Sequence, residues 1–196
     1  DDPRMPTLCA LRRRGYTPSS IFEFVRRAGV SKTLSLVDIG LLEYCIRSEL
    51  NLVAPRRIAV TQPLKVVLTN LPEDTLEWVK LQNNPEDEEA GTREVPLTRE
   101  IYIERSDFEE NPPPKFFRLK PGGEVRLMGT YFITCREAVH GPGGEITELR
   151  CTVDPETRTG SAPDGRRVKG TIHWVSARHA VPAKLCYYDN LFTIEN

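Results

Sequence analysis

The sequence predicts an α+β fold, an N-terminal helical subdomain followed by an antiparallel β-barrel, and three observations lead there. Apolar residues recur at helical spacing through the first quarter, between helix start and stop signals. After Arg56 the texture changes to short β-rich runs separated by Pro and Gly turns. The two textures meet at Pro55-Arg56, the predicted boundary, with residues 1–55 helical and 56–196 forming the β domain. No Gly/Ser linker divides them, so the two parts are expected to pack against each other.

Each helix carries its own punctuation. Thr7 to Arg14 runs into Gly15, a residue that ends helices because it accepts positive φ. Thr17-Pro18 supplies an N-cap and a first-turn proline. Ile21, Phe22, Phe24 and Val25 form the apolar face of that second helix, which Gly29 stops. Ser35 with Asp38 resembles a weakened capping box for a third helix. Val37, Leu41, Leu42, Cys45, Ile46 and Leu50 give its apolar spacing, and Ala54-Pro55 closes it.

The β-rich runs are Ile58–Val60, Leu64–Leu68, Leu76–Leu81, Glu100–Glu104, Lys115–Leu119, Glu124–Leu127, Tyr131–Val139, Glu145–Val153, Val168–Val175 and Ala183–Tyr188. Pro112-Pro113-Pro114, Pro121-Gly122-Gly123, Gly141-Pro142-Gly143-Gly144 and Asp164-Gly165 break them, the second reading as a tight hairpin between two strands. Many short strands with turn chemistry between them suggest a barrel or sandwich. The acidic run Glu86 to Glu89 reads as a solvated loop.

Composition excludes several classes of function. With 39% hydrophobic and 28% charged residues, the 196-residue chain is that of an ordinary soluble globular protein. No apolar run approaches the length of a membrane span and no signal pattern opens the chain. It begins at Asp1-Asp2-Pro3, without an initiator Met, and is expected to be part of something longer. Five widely spread cysteines, with no C-x-x-C pair, suit a reducing cytoplasmic setting in which each is a small buried hydrophobe rather than a zinc ligand. The net charge of −1 is uneven: residues 1–57 hold ten Lys/Arg against six Asp/Glu, a balance of +4. A local positive field is what phosphate contacts require, although a solvated helix surface carries the same residues.

No self-contained active site is present in the sequence. It lacks a phosphate loop, a nucleophile elbow and a zinc helix pair. His173 and His179 have no acidic or Cys partner at ligand spacing, which leaves them a structural role in a strand-to-loop segment. Asp107, Glu109 and Glu110 resemble paired carboxylates but read as solvent-facing acids on a polar loop.

Material for reading RNA is better represented. Such a reader needs cations for phosphates and planar or bidentate groups for splayed-out bases. Arg12, Arg13 and Arg14 end the first helix, where they fan around the axis and at most two face one backbone. Arg56-Arg57 lies at the junction of the two textures. Lys115 to Lys120 mixes cations with aromatics on a predicted strand, followed by Arg126. Alternation puts Phe116 and Arg118 on one face, to stack and hydrogen-bond a base, with Phe117 and Leu119 toward the core. Filling the core is the competing role for the whole segment.

The order of segments resembles the glutaminyl-tRNA synthetase family along essentially the whole chain. The resemblance is carried by Asp1-Asp2-Pro3-Arg4-Met5-Pro6-Thr7-Leu8, Leu11-Arg12-Arg13-Arg14-Gly15-Tyr16-Thr17-Pro18, Ala54-Pro55-Arg56 and Arg118-Leu119 with Pro121-Gly122-Gly123-Glu124-Val125-Arg126-Leu127. The most specific stretch is Val168-Lys169-Gly170-Thr171-Ile172-His173-Trp174-Val175-Ser176-Ala177. The family implies a class I enzyme that makes glutaminyl-tRNA from glutamine, ATP and tRNA. It implies a helical subdomain here, then a proximal anticodon-binding barrel of the ribosomal-protein-L25-like kind, broken off where the distal barrel starts. The ATP-binding motifs would lie upstream of Asp1, so the resemblance gives this portion no cofactor, no metal and no catalytic residue. ATP with Mg belongs to the parent's catalytic core. The implied partner is tRNA(Gln), with neither membrane nor DNA, and the implied parent is monomeric and cytoplasmic.

By residue, Arg56 matches a family arginine at the middle anticodon base and Arg118 one at the third. Lys115 and Arg126 match positions near the first and third bases. Phe117 and Met128 depart from relatives that carry Lys and Arg there, which implies first-base recognition that is either looser or built differently. The archaeal and eukaryotic glutamyl-tRNA synthetases share the architecture and are the nearest alternative. A barrel used as a non-catalytic interaction module, and a small independent hydrolase, are the alternatives from other classes.

Overall fold

The computed structural model describes residues 2–33, 35–189 and 191. Its residues form two compact units, one of Asp1–Pro55, Asn84–Gly91 and Lys184–Asn196, the other of Arg56–Asn83 and Thr92–Ala183.

Among the described residues the first unit holds three helices: α1 (Leu8–Arg13), α2 (Pro18–Ala28) and α3 (Ile39–Val53). Thr7 and Thr17 cap the first two, their hydroxyls accepting from the N–H groups of Ala10 and Ser20 at 3.2 and 3.1 Å. Gly29 ends α2 at φ +72°. Asp38 alone caps α3, accepting from the Gly40 N–H at 2.7 Å, and Ser35 takes no part in the cap. Glu49 of α3 accepts from Thr17 and Ser19, both at 2.7 Å, and so sets a carboxylate beside the positive end of α2. Buried Asn84 donates to the carbonyls of Leu52 and Asn51, at 2.7 and 3.3 Å, which satisfies open acceptors at the end of α3. Ala10, Leu11, Leu42 and Cys45 are the buried apolar side chains of the helices, whereas Phe22, Val25 and Leu50 of the predicted apolar faces are exposed. Glu86 to Glu89 is exposed, as a solvated loop should be, and its last two residues enter a 3₁₀ turn, Glu88–Ala90.

The second unit is built on nine strands: β1 (Pro63–Leu68), β2 (Leu76–Gln82), β3 (Thr92–Thr98), β4 (Glu100–Glu104), β5 (Glu124–Leu127), β6 (Phe132–His140), β7 (Ile146–Asp154), β8 (Thr171–Ile172) and β9 (Val175–Ser176). Seven form one sheet in the order β8-β5-β6-β7-β1-β4-β9, and β2 pairs with β3. The sheet is mixed rather than antiparallel, because β1 runs parallel to β7 and β5 parallel to β8.

Its two edge strands are neighbours in sequence. Only His173 and Trp174 separate β8 from β9, and two linking residues span roughly 10 Å at most. The sheet therefore curls until its edges nearly meet. Trp174 stands in that seam, 0% exposed, with its indole N–H donating to the Met128 carbonyl at 3.0 Å. Around it lie Leu64, Val66, Leu97, Ile101, Ile103, Leu119, Leu127, Ile133, Leu149 and Ile172, all buried in one cluster. The alternating burial of β1 and β7 is what period-2 apolar sequence produces on a curled sheet with one covered face.

Several predicted strands differ. Lys115–Leu119 is a turn and an irregular segment, so the strand alternation proposed for it does not apply. Phe116 donates its N–H to the Pro113 carbonyl at 3.2 Å, and Lys115 sits at φ +68°. Proline at the second position and positive φ at the third make this a type II turn. Pro121-Gly122-Gly123 is accordingly a turn leading into β5, not a hairpin between two strands. Ile58–Val60 and Ala183–Tyr188 lie in no ladder, Val168–Val175 is reduced to β8 and the first residue of β9, and Thr92–Thr98 is a strand the sequence did not announce. Of the five cysteines, Cys45, Cys135 and Cys151 are buried, but Cys9 and Cys186 are exposed, contrary to expectation. Among the described residues no helix is long and apolar enough to cross a membrane.

Candidate nucleic-acid interface

The turn at Lys115 delivers Phe116, Phe117 and Arg118 to the surface of the second unit. Phe116 is half-buried, and Phe117 is 50% exposed rather than turned into the core as strand alternation assigns it. Arg118 extends to Asp107, its Nη1 lying 2.7 Å from Oδ1, and the same nitrogen donates to the Ser106 carbonyl at 3.3 Å. Asp107 is only 8% exposed, so it is not the solvent-facing acid expected from its polar neighbours. The loop returns to Leu119 by backbone: the Leu119 N–H donates to the Asp107 carbonyl at 2.9 Å, and Glu109 donates back at 3.1 Å. These bonds draw the carboxylate inward. Burial raises the Asp107 pKa above its ordinary value, opposed by the Arg118 charge and by His173.

Residues 169–171 join this loop to the curled sheet. A Cβ on Gly170 would fall 1.9 Å from the Phe117 carbonyl oxygen, so only glycine permits that approach. The Gly170 carbonyl accepts from the Arg126 N–H at 2.9 Å. Lys169 lays its ammonium 4.9 Å from the Phe117 ring centroid. Arg126, on β5, donates through Nε to the Thr171 hydroxyl at 3.2 Å and through Nη1 to the Gly160 carbonyl at 3.1 Å. It lines an open cavity of about 430 Å³ with Phe132, Ser161, Arg166 and Arg167. Arg166 is spent internally, pairing with Glu124, Asp154 and Asp164.

The structure thus sets Phe117 against Lys169 and Gly170 and Arg126 against Thr171, while Arg118 turns to Asp107 and Ser106 and Lys115 is exposed on the preceding turn. Arg56 is placed otherwise. It is half-buried, and its backbone N–H bonds the Asn83 carbonyl just beyond β2. Arg12, Arg13 and Arg14 belong to the first unit, where Arg12 and Arg13 are exposed and Arg14 lies over the Tyr16 ring at 5.1 Å. Asp107, Lys169 and Gly170 were not singled out as site residues from sequence. Their roles come from contacts across eleven residues and across more than fifty, which no local spacing encodes. Among the described residues no group of three His, Cys, Asp or Glu side chains converges as a metal site.

Similarity to known proteins bears on this surface directly. Glutamine–tRNA ligase of Bradyrhizobium diazoefficiens is 55% identical over 192 residues, which is 98% of this chain and 34% of the relative. That of Clostridium kluyveri is 54% identical over 191 residues (97% and 34%), and that of Rhodopirellula baltica 54% over 196 (100% and 33%). The chain spans about a third of the length of these curated relatives. Residues 54–154, which contain the whole Phe117–Arg126 surface, match the anticodon-binding domain of the class I tRNA synthetases (E and Q), and residues 171–196 match a second model of the same description. The chain therefore belongs to the anticodon-binding domain family of the class I tRNA synthetases (E and Q).

Proposed function

We propose that this chain is the tRNA-binding and anticodon-recognition portion of a glutamine–tRNA ligase, which attaches glutamine to tRNA(Gln) using ATP. The observation that carries the reading is Arg118. Its guanidinium is held at one edge by a buried carboxylate and half open to solvent, inside the segment that matches the anticodon-binding family. A planar fork fixed on one side is pre-organised to donate two parallel hydrogen bonds to a base edge on the other. Arg118 reads the third anticodon base. Lys115 and Arg126 serve the first and third, Arg56 the middle base, and Arg12, Arg13 and Arg14 the tRNA backbone. Residues 1–55 are the helical subdomain that follows the catalytic core. Residues 56–196 are the proximal barrel, of the ribosomal-protein-L25-like kind, up to the start of the distal one.

ATP, with Mg, serves the parent's catalytic core and no group in this chain. The parent works as a cytoplasmic monomer, and this portion alone performs no aminoacylation. The test is Arg118→Ala in the full-length protein, with aminoacylation measured on tRNAs varied at each anticodon base. A loss of roughly 1–3 kcal/mol of discrimination at a single base is expected. Equal losses on every variant would reduce Arg118 to a phosphate clamp, and aminoacylation by the isolated portion would refute its inactivity.

A further inference from the structure

We infer that Phe117, backed by Lys169, is a stacking platform for one unstacked nucleobase, whose edge is presented to Arg118. The inference rests on the anticodon-recognition reading and adds to it a residue that the sequence assigned to the core.

Phe117 is half exposed although the buried cluster of the curled sheet is complete without it. An aromatic ring held at a surface by its own backbone is pre-organised, because only two side-chain torsions remain to be fixed on binding. Here the backbone is held on both sides. The Phe117 carbonyl abuts Gly170, and Leu119 exchanges backbone hydrogen bonds with Asp107 and Glu109. Lys169 places its ammonium over the ring, and half of the Phe117 surface remains open. A base stacked on that open surface would gain from the cation behind the ring, and Arg118, the next residue along the chain, supplies the fork for its edge.

The surroundings favour a nucleic-acid base over an apolar peptide. Residues 115–120 carry three cations, Lys115, Arg118 and Lys120, and no acid, and Lys169 adds a fourth charge from the barrel side. Every base offers a π-face, so the platform contributes affinity while Arg118 contributes identity.

The experiment uses the full-length protein and tRNA anticodon stem-loops in which each loop nucleotide in turn is replaced by fluorescent 2-aminopurine, whose emission is quenched by stacking. With the wild type, one position stays quenched in the complex. Phe117→Leu releases the quench at that position alone and weakens stem-loop binding about five- to a hundredfold, while Phe117→Tyr preserves both. Lys169→Gln weakens binding about two- to fivefold, with the ring left in place. Thermal melts confirm that the variants fold. Undiminished quenching at every position in Phe117→Leu, with binding intact, overturns the platform and leaves the anticodon reading standing. Failure of the wild-type protein to bind any stem-loop overturns that reading, and the platform with it.

Discussion

Arg118 and Asp107 form an unequal ion pair: at 2.7 Å, the carboxylate is nearly buried while the guanidinium is half exposed. The asymmetry matters because desolvation falls on one partner only. A buried charge that loses its counterion is expensive, whereas a half-exposed arginine that loses its anchor simply takes up water.

Asp107→Asn should therefore separate stability from recognition. Burial raises the carboxyl's folded-state pKa above the ordinary 3.8, so the folded protein holds this proton more tightly than the unfolded chain. The group's contribution to stability is largest below that ordinary value and falls as pH rises through the folded pKa. A permanently neutral amide removes the fall. Denaturation at neutral pH should show a change within about 1 kcal/mol, toward no effect or a gain. Discrimination at the Arg118-read base should drop with no matching loss of melting temperature.

Lys115→Gly tests the turn. A side chain in the left-handed region costs roughly 1–2 kcal/mol, partly offset by the greater unfolded-state entropy of glycine, so a net gain of about 0.5–1 kcal/mol is expected in chemical denaturation. The same change removes an exposed cation. RNA affinity should fall, and its salt dependence should become shallower by about one phosphate contact.

Glu104 supplies an acid-sensitive clasp. Burial works to raise its pKa, yet hydrogen bonds from the Thr61 and Gln62 N–H groups and from the Thr61 hydroxyl, at 2.8, 2.7 and 3.0 Å, leave it below the ordinary 4.5. For a depressed carboxyl the stability is present above the unfolded value and is lost as pH falls through the folded one. Glu104→Gln should cost about 1–2 kcal/mol at neutral pH and flatten the acid limb of the stability profile. An unchanged acid limb would place the sensitivity elsewhere.

Thiol labelling should divide the cysteines. Cys135 and Cys151 face each other across β6 and β7, both buried, and their mutual hydrogen bond together with burial pushes the Cys151 thiol far up. Cys45 is buried as well. An aromatic disulfide reagent should modify Cys9 and Cys186 rapidly in the native protein and the other three only on unfolding.

The helices were legible in the sequence because their ends are local chemistry. Thr17-Pro18, Gly29 and Ala54-Pro55 mark boundaries by what each residue does to its own backbone. Strands were less legible wherever pairing decides. Thr92–Thr98 contains Pro96 and two charges, yet it forms a strand because β2 offers seven consecutive partners and Pro96 stands opposite Trp78 in a ladder with a single neighbour. Lys115–Leu119 has strand-like composition but follows three prolines and turns at a lysine, where no glycine announces positive φ. The candidate surface was half legible. Arg118 and Arg126 stand out as cations near aromatics, but the buried position of Asp107 and the approach of Lys169 to Phe117 are products of folding.

The seam at Trp174 imposes an order on synthesis. Strands β1 to β7 can begin pairing as they leave the ribosome, but neither edge acquires its last partner until Thr171–Ser176 has emerged. Until then both flanks of the nascent sheet present open backbone, the state in which β proteins misassociate, and its protection arrives in one six-residue step.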